Sequence, residues 1–181
     1  MAAPSVLVVI AEGFEEVEAV TPVDVLRRAG AEVTVASLGQ GVHVTGRSGI
    51  TLHADTTLAA VEASRFDCLL LPGGPAVSLL RSDPRVLELV RRQDRSGGWI
   101  AAICAAPSVL LAAGIMEGRR FTAHPSISKE MPGSLRDERT VVDGRLITSR
   151  GAGTALDFGL IIAEKLLSRE KAAEVSQAIS A

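Results

Sequence analysis

Short apolar runs alternate along the chain with longer segments in which apolar residues recur at helical spacing. The apolar runs are SVLVVIA, AEVTVASLG, FDCLLLPGG and WIAAIC. Such runs are typical of strands buried on both faces, whereas helical spacing is typical of amphipathic helices. Their alternation predicts a parallel sheet covered by helices on both faces. We therefore expect an α/β fold, a doubly wound and mostly parallel sheet.

The residues at the ends of the periodic segments support the predicted helices. EEVEAVTPVDVLRRAG ends at Gly30, and glycine closes helices because it adopts the left-handed conformation without a side-chain clash. DPRVLELVRRQDRSGG begins with an aspartate cap before a proline and ends in two glycines. The polar stretch that follows the second run predicts a hairpin around TGRSGITLHAD.

The C-terminal part follows the same pattern less regularly. RRFTAHP is predicted to be a strand, VVDGRLITS a hairpin and GTALDFGLIIAEKLLSRE the closing helix, and residues 125 to 139 are predicted to form a loop. The sequence has no internal repeat, low-complexity tract or linker long enough to separate domains. We expect one domain over residues 1–181.

Composition limits the possible classes of function. A chain of 181 residues can bury roughly 70% of the surface of its unfolded form, and its apolar content of 47% argues against disorder. Nineteen basic residues against 21 acidic ones give a formal net charge of −2, and the chain has no tyrosine, one tryptophan and four phenylalanines. These residues cannot supply a basic face interleaved with stacking aromatics, so we expect no nucleic acid partner.

The cysteines and the N-terminal segment indicate the compartment. Cys68 and Cys104 belong to no CxxC pair and no zinc-ligand spacing, so a reducing compartment is the simpler interpretation. MAAPSVLVVIAEGFEE lacks the basic leader of a secretion signal. No run approaches the ~18 to 20 apolar residues of a membrane-spanning helix. We expect a cytoplasmic protein that does not bind membranes.

Cys104 lies between a predicted strand, WIAAIC, and the helix formers that follow Pro107. In an open parallel sheet, ligands gather beyond the carboxyl ends of the strands, where Cys104 is expected. A strand-to-helix turn exposes its side chain at a helix N-terminus, which favours the thiolate and predicts a lowered thiol pKa. Cys104 is therefore a candidate nucleophile, the alternative being an inert core cysteine. Cys68, inside FDCLLL, is predicted to be a core residue.

Two glycines, Gly73 and Gly74, end the strand LPGG. Paired glycines let the backbone approach a ligand closely, so they suggest a cradle for an oxyanion, although many such pairs only form a turn. EGFEEVE follows the first strand and supplies Glu12, Glu15, Glu16 and Glu18. On the residues alone, these carboxylates are also consistent with an acidic opening to the first helix.

Several separated motifs together resemble the ThiJ/PfpI superfamily, in its Parkinson-disease protein or protein deglycase branch. They are GFEEVEAVTPVDVLRRAG, LPGGP, AAICAAP, TAHP and TSRGAGTALDF. The resemblance runs nearly from end to end and implies a flavodoxin-like domain that forms a homodimer. It also implies that Cys104 is the nucleophile and that Glu18 hydrogen-bonds its sulfur.

The same resemblance suggests roles for four further residues. It places the backbone N–H groups of Gly74 and Ala105 beside the reacting oxygen, and it makes Glu15 a neighbour of the site. It brings His124 close to Cys104, where orientation of the substrate and proton transfer both remain open. Relatives often have glycine at the position of Ala106. The methyl group of alanine is therefore expected to hinder close approach of a substrate on that side.

Three functions from different classes agree with these residues. The first is cofactor-independent conversion of reactive dicarbonyls such as methylglyoxal and glyoxal to hydroxy acids, or removal of their early adducts from protein and nucleotide amines. The second is a redox-sensing stress protein or chaperone that acts through oxidation of Cys104. The third, hydrolysis by a peptidase or an amidotransferase, is disfavoured. Ala105 stands where the peptidases have histidine, and Ser126 stands where amidotransferases have glutamate. No metal and no cofactor are implied.

Overall fold

The computed structural model describes residues 2–181. Its strands are β1 Ser5–Ile10, β2 Glu32–Ser37, β3 His43–Thr45, β4 Thr51–His53, β5 Thr56–Thr57, β6 Cys68–Leu71, β7 Trp99–Ile103, β8 Thr140–Asp143 and β9 Leu146–Ser149. Its helices are α1 Glu16–Ala29, α2 Leu58–Val61, α3 Val77–Ser82, α4 Pro84–Arg95, α5 Pro107–Ala113, α6 Ala155–Leu166 and α7 Arg169–Ala178.

Seven strands form one sheet in the order β5-β2-β1-β6-β7-β9-β8. Every neighbouring pair is parallel except β8 and β9, which form an antiparallel hairpin. The chain leaves β1 on one side toward β2 and returns on the other side to β6, so the direction of winding switches between β1 and β6. This order confirms the predicted doubly wound, flavodoxin-like fold. Ligands of such sheets bind beyond the carboxyl ends of the strands at the switch point.

The sheet is buried because its central strands are apolar on both faces. Val6 to Ile10 of β1 are completely buried, and so are most residues of β6 and β7. The helices pack in two groups, α1 with α6 and α7, and α3 with α4 and α5. Gly159 permits the closest approach in the first group, since a Cβ there would lie 3.1 Å from the Cα of Pro22. The core therefore holds the strand ends in fixed positions.

The predicted start and stop signals are present. Gly30 has φ +96° and its N–H caps α1, while the Asp83 side chain accepts a hydrogen bond from the N–H of Arg85 at the start of α4. The hairpin predicted around TGRSGITLHAD is formed by β3 and β4, and VVDGRLITS forms β8 and β9. Within residues 2–181, no helix is both long and apolar enough to cross a membrane.

Two expectations for the C-terminal part were wrong. RRFTAHP is not a strand, because both edges of β9 are already paired, with β7 and with β8. The N–H groups of Thr122 and Ala123 instead donate to the side chains of Thr148 and Ser134, each at 2.9 Å. The predicted closing helix is also divided into α6 and α7. Ser168 starts the second helix by accepting a hydrogen bond from the N–H of Lys171.

Candidate active site

Cys104 follows the last residue of β7 with a backbone φ of +66°. A left-handed conformation at a residue other than glycine costs about 1 to 3 kcal/mol and persists only where neighbours hold it. Here the Cys104 N–H donates to the carbonyl of Ser149 at 2.9 Å, and the Cys104 carbonyl accepts from the N–H of His124 at 2.8 Å. The turn presents the half-buried sulfur beyond the end of β7, as a nucleophile elbow does.

Glu18 lies on the first turns of α1 and is only 1% exposed. Its Oε2 accepts the N–H of Gly73 at 2.9 Å, and its carboxyl is hydrogen-bonded to the Cys104 thiol. Burial raises the pKa of Glu18 to about 7, against the lowering effect of these two hydrogen bonds. A carboxyl with this pKa can hold or release a proton near neutral pH.

The Cys104 thiol responds to the protonation state of Glu18. With Glu18 ionised, burial, the carboxylate charge and the hydrogen bond to it raise the pKa of the thiol to about 12. The expected lowering by the helix N-terminus alone was therefore wrong. Backbone N–H groups of Gly74 and Ala105 lower the thiol pKa. A proton on Glu18 removes the carboxylate charge that raises the thiol pKa, so protonation of Glu18 favours the thiolate.

Gly73 and Gly74 bring the backbone against this pair. A Cβ on Gly73 would lie 2.5 Å from Oε2 of Glu18 and 2.6 Å from Cβ of Cys104, so no larger residue fits there. Gly74 has φ +87°, which L-residues rarely adopt. The two glycines have different functions, because the Gly73 N–H is already bonded to Glu18. The backbone N–H groups that lower the pKa of the Cys104 thiol come from Gly74 and Ala105.

The other carboxylates of EGFEEVE surround the site at different distances. Glu15 donates its N–H to the carbonyl of Gly73 at 3.1 Å, and its side chain pairs with Arg47 at 3.3 Å. Both charged groups act electrostatically on Glu18: the Glu15 carboxylate raises the pKa of Glu18, and the Arg47 guanidinium lowers it. Glu16 points elsewhere: its Oε1 accepts the N–H of Ser48 at 2.8 Å, in the turn between β3 and β4. Glu15 is thus a neighbour of the site, and Glu16 is a structural residue.

His124 is exposed beside the elbow. Its Nδ1 accepts the N–H of Ser126 at 3.2 Å and lies 2.8 Å from the Ser126 hydroxyl. The proton of the neutral ring therefore resides on Nε2, which favours a donor over a base. A Cβ on Gly151 would lie 3.2 Å from the His124 ring and 3.9 Å from Oε1 of Glu18. Gly151 thus borders the site between the two side chains, and sequence analysis missed it, although TSRGAG contains it.

Two further positions bear on the sequence expectations. Ala106 is completely buried and has an ordinary helical φ of −61°, so its methyl group packs in the core and does not cover the approach to Cys104. Cys68, as predicted, is a fully buried core residue, and burial together with the charge of Asp67 raises the pKa of its thiol. Cys104 is consequently the accessible thiol.

A concavity of about 1420 Å³ lies elsewhere on the protein. It is lined by residues at the amino ends of the strands, among them Ser5, Asp67 and Trp99, and contains none of the predicted site residues. A group of three or more His, Cys, Asp or Glu side chains that could hold a metal is absent from the described part of the chain. The groups that meet at the Cys104 turn are a thiol, a buried carboxyl and two backbone N–H donors.

Comparisons with known proteins agree with this geometry. The sequence profile of the DJ-1/PfpI family matches residues 4–165. Protein dj-1beta of Drosophila melanogaster is 45% identical over 179 residues, covering 97% of this chain and 96% of the fly protein. The crystal structure of Drosophila melanogaster DJ-1beta superimposes with a TM-score of 0.96 at 42% identity, covering 98% of each chain.

Two other relatives are described by a function or a chemical state. A protein of Pyrococcus abyssi, described as a deglycase, is 37% identical over 151 residues, covering 82% of this chain and 90% of the archaeal one. A structure of oxidised Toxoplasma gondii DJ-1 matches with a TM-score of 0.93 at 34% identity over 98% of each chain. One relative thus carries an enzymatic description and the other a redox description.

Proposed function

Because the chain belongs to the DJ-1/PfpI family, we propose that it detoxifies reactive dicarbonyls with Cys104 as nucleophile and Glu18 as proton carrier, without a cofactor. The observation that carries the proposal is the buried Glu18 carboxyl hydrogen-bonded to the thiol. Addition of a thiolate to an aldehyde needs a nearby acid, and transfer of a proton between carbons needs a base. One carboxyl with a pKa of about 7 can act as both.

The reaction of methylglyoxal can be written with these groups alone. The Cys104 sulfur bonds to the aldehyde carbon, and the new alkoxide accepts hydrogen bonds from the N–H groups of Gly74 and Ala105. Glu18 then moves the proton of that carbon to the adjacent carbonyl carbon, which oxidises the first carbon to a thioester and reduces the second to an alcohol. Water cleaves the thioester and releases lactate and the thiol. The sum is methylglyoxal plus water giving lactate, with no external oxidant.

Release of early adducts from amines is the second form of the same proposal. The description of the Pyrococcus abyssi relative as a deglycase supports it. In the adduct, the Cys104 thiolate displaces the amine from the carbinolamine carbon: the C–S bond forms as the C–N bond breaks, and the amine leaves with a proton from Glu18. The hemithioacetal that results is the one formed from the free aldehyde. His124 and Glu15 border the elbow and would contact the substrate.

A redox role is the alternative function. It is favoured by the half-buried position of Cys104 and by the similarity to an oxidised Toxoplasma gondii structure. Peroxide would oxidise the thiolate first to a sulfenic acid and then to a sulfinic acid, whose oxygens could bond to Glu18 and the N–H groups of Gly74 and Ala105. This role needs the same thiolate but no turnover.

We also propose a cytoplasmic homodimer. Val17 and Val20 lie one turn apart on α1 and are 47% and 43% exposed, and Ile50 in the β3–β4 turn is 57% exposed. The Ile50 N–H lies 3.4 Å from Oε1 of Glu16, which brings the turn against α1. Exposed apolar residues that cluster are typical of interaction surfaces. Val20→Glu should convert a dimer, measured by light scattering, into a species of 18.9 kDa.

The deciding experiment measures lactate formed from methylglyoxal without glutathione. Wild-type protein should produce lactate, and Cys104→Ala should reduce the rate to that of a heat-inactivated control, because the covalent step is lost. Cys68→Ala is the matched control and should retain activity, since Cys68 is buried and pairs with Trp99 at the opposite end of β7 from Cys104. Lactate formation that persists in Cys104→Ala, or that is absent from the wild type, would contradict the proposal.

A second measurement separates dicarbonyl turnover from deglycation. Loss of a preformed methylglyoxal adduct of an amine is followed as the enzyme concentration is raised. If the enzyme consumes only free methylglyoxal, the rate must level off at the spontaneous dissociation rate of the adduct. If Cys104 attacks the adduct itself, the rate continues to rise with enzyme. Peroxide-dependent mass gain at Cys104 in the same samples tests the redox alternative.

A further inference from the structure

A basic concavity lies at the amino ends of the strands, at the opposite end of β7 from Cys104. It is the concavity of about 1420 Å³ that Asp67 and Trp99 help to line. Six cationic side chains line it against the single carboxylate of Asp67, although the chain as a whole has a formal net charge of −2. The six are Arg28, Arg65, Arg92, Arg145, Lys165 and Lys171. Positive charge is therefore concentrated in this concavity.

Half of these cations have no carboxylate partner. One arginine and the two lysines pair with carboxylates on their own helices. Arg65, Arg92 and Arg145 form no ion pair within the described part of the chain. The carboxylate of Asp67 is itself occupied, because its Oδ2 accepts the N–H and the hydroxyl of Ser5 at 2.7 and 2.9 Å. The concavity thus holds three guanidinium groups that are available to an anion.

Arg92, on α4, is held by the loop that precedes β6. Its Nη2 donates to the carbonyls of Glu62 and Ser64, the second at 3.0 Å. The next residue, Gln93, is buried, and its side chain donates to the carbonyl of Phe66 at 3.0 Å, so the helix and the loop are fixed to each other. Nε and Nη1 of Arg92 remain for a ligand. Because this guanidinium is already fixed, little conformational entropy is lost when it binds one.

Arg145 lies against the tryptophan of the concavity. Its carbonyl accepts the N–H of Ile100 at 2.9 Å, which places it beside the start of β7. Its guanidinium carbon is 4.9 Å from the centre of the Trp99 ring, a cation–π contact. The Gln93 side chain also donates to the carbonyl of Trp99, at 3.2 Å, and so joins α4 to the same strand end. A guanidinium and an indole are thus presented together at the amino end of β7.

These groups define the chemical class of the ligand. Guanidinium groups present paired N–H donors that match the oxygens of phosphate. The volume of about 1420 Å³ exceeds the roughly 300 to 1,000 Å³ of usual small-molecule pockets, so several linked phosphates fit within it. One tryptophan is too little aromatic surface for a nucleic acid strand, whose successive bases stack on several aromatic side chains. We propose that the concavity binds a small polyphosphate through Arg65, Arg92 and Arg145.

The test follows the binding of sodium tripolyphosphate by tryptophan fluorescence and by calorimetry, at low salt and without divalent metal. Trp99 is the only tryptophan of the chain, which has no tyrosine, so the emission reports this concavity. One molecule should bind per chain, and the emission should change because the ligand draws the Arg145 guanidinium away from the ring. The affinity should decrease as salt is raised, since the contacts are ionic.

Arg65→Gln and Arg145→Gln should each weaken binding by at least about 10-fold, because each removes a charge-assisted hydrogen bond. Arg136→Gln is the matched control. It removes the same charge from an exposed arginine outside the concavity, and it should bind tripolyphosphate as the wild type does. Since Arg65 and Arg145 are exposed, both variants should keep the wild-type melting temperature without ligand. A variant that melts lower is replaced by Arg65→Met or Arg145→Met.

Adenosine triphosphate separates two sources of a phosphate chain. Tighter binding than that of tripolyphosphate would identify a nucleotide whose base contacts Trp99, and equal or weaker binding would identify the inorganic chain. The proposal would be overturned if neither compound binds, if both arginine variants retain binding, or if Arg136→Gln loses it. Citrate that binds as tightly as tripolyphosphate, or single-stranded DNA that binds more tightly, would also overturn it. Cys104→Ala should bind tripolyphosphate normally, so this proposal and dicarbonyl turnover can fail separately.

Discussion

The two cysteines occupy opposite ends of neighbouring strands. Cys68 is the first residue of β6, where it is fully buried and pairs in register with Val6 of β1 and Trp99 of β7. Cys104 directly follows β7, where the sulfur is half-buried and the backbone φ is +66°. Both residues have a thiol, and only one of them is placed where a substrate can reach it.

The difference lies in the backbone that surrounds each sulfur. At the amino end, regular pairing with strands on both sides continues around Cys68. At the carboxyl end, β6 and β7 stop, and the N–H groups of Gly74 and Ala105 turn toward the sulfur of Cys104. A parallel sheet thus supplies unpaired donors where its strands end. The reactivity of a cysteine in this sheet therefore depends on the strand end at which it lies.

The largest expected difference between the two ends is in alkylation. In the folded protein, iodoacetamide should modify Cys104 at least ~10³-fold faster than Cys68, because Cys68 reacts only after an opening that costs much of the folding free energy. Peptide mapping by mass spectrometry gives both rates in one sample, and denaturant should make them similar. Faster modification of Cys68 without denaturant would reverse the assignment of the accessible thiol.

A smaller contrast is expected from one methyl group at each end. Gly73→Ala should lower turnover by ~100-fold, because its Cβ would displace Glu18 and Cys104 from each other. Gly98→Ala is the matched control. Its Cβ would meet the Gln93 side chain at the amino end, so it should lower the melting temperature and leave turnover unchanged. Equal turnover in the two variants would show that the geometry beside Gly73 is not needed.

The sequence predicted the position of Cys104 well, because a strand end and the start of a helix are local features. The run WIAAIC, followed by Pro107, was sufficient to place the turn. The pKa of its thiol was not predictable in this way. It depends on Glu18, which is far away in the sequence and reaches the sulfur only after α1 packs against β1 and β2.

Long-range pairing explains the remaining errors. RRFTAHP has the composition of a strand, but β8 occupies the edge of β9 that it would need. The contact between His43 and His53 likewise depends on the register of a hairpin and gives no signal in the sequence. From the residues alone, Glu18 was barely distinguishable from Glu15. Glu15 precedes α1 and Glu18 lies in its first turn, and the direction in which each side chain points follows from tertiary packing.

The next contrast concerns the pH dependence of stability. Glu18 has a pKa of about 7 when folded and 4.5 ordinarily, so the folded state holds its proton more tightly. The resulting stabilisation is complete below pH 4.5 and is lost as the pH rises to about 7, on the order of 3 kcal/mol. In Glu18→Gln this decrease should be absent. Denaturant melts from pH 4 to 9 test it, and parallel curves for both proteins would contradict the raised pKa.

The smallest effect is expected from exchanging sulfur for oxygen at each end. Cys68→Ser should lower the free energy of unfolding by about 2 kcal/mol, because it buries a hydroxyl in a strand whose backbone donors are already paired. Cys104→Ser should lower it by less than about 1 kcal/mol, since the hydroxyl meets the N–H groups of Gly74 and Ala105 and the Glu18 carboxyl. Urea melts at pH 7 measure both values.

Cys68→Ala is the control that separates the loss of the sulfur atom from the burial of a hydroxyl group, and this variant should be less destabilised than Cys68→Ser. If Cys104→Ser were instead the less stable protein, its sulfur would be part of the core, and the contrast between the two ends of the sheet would not hold.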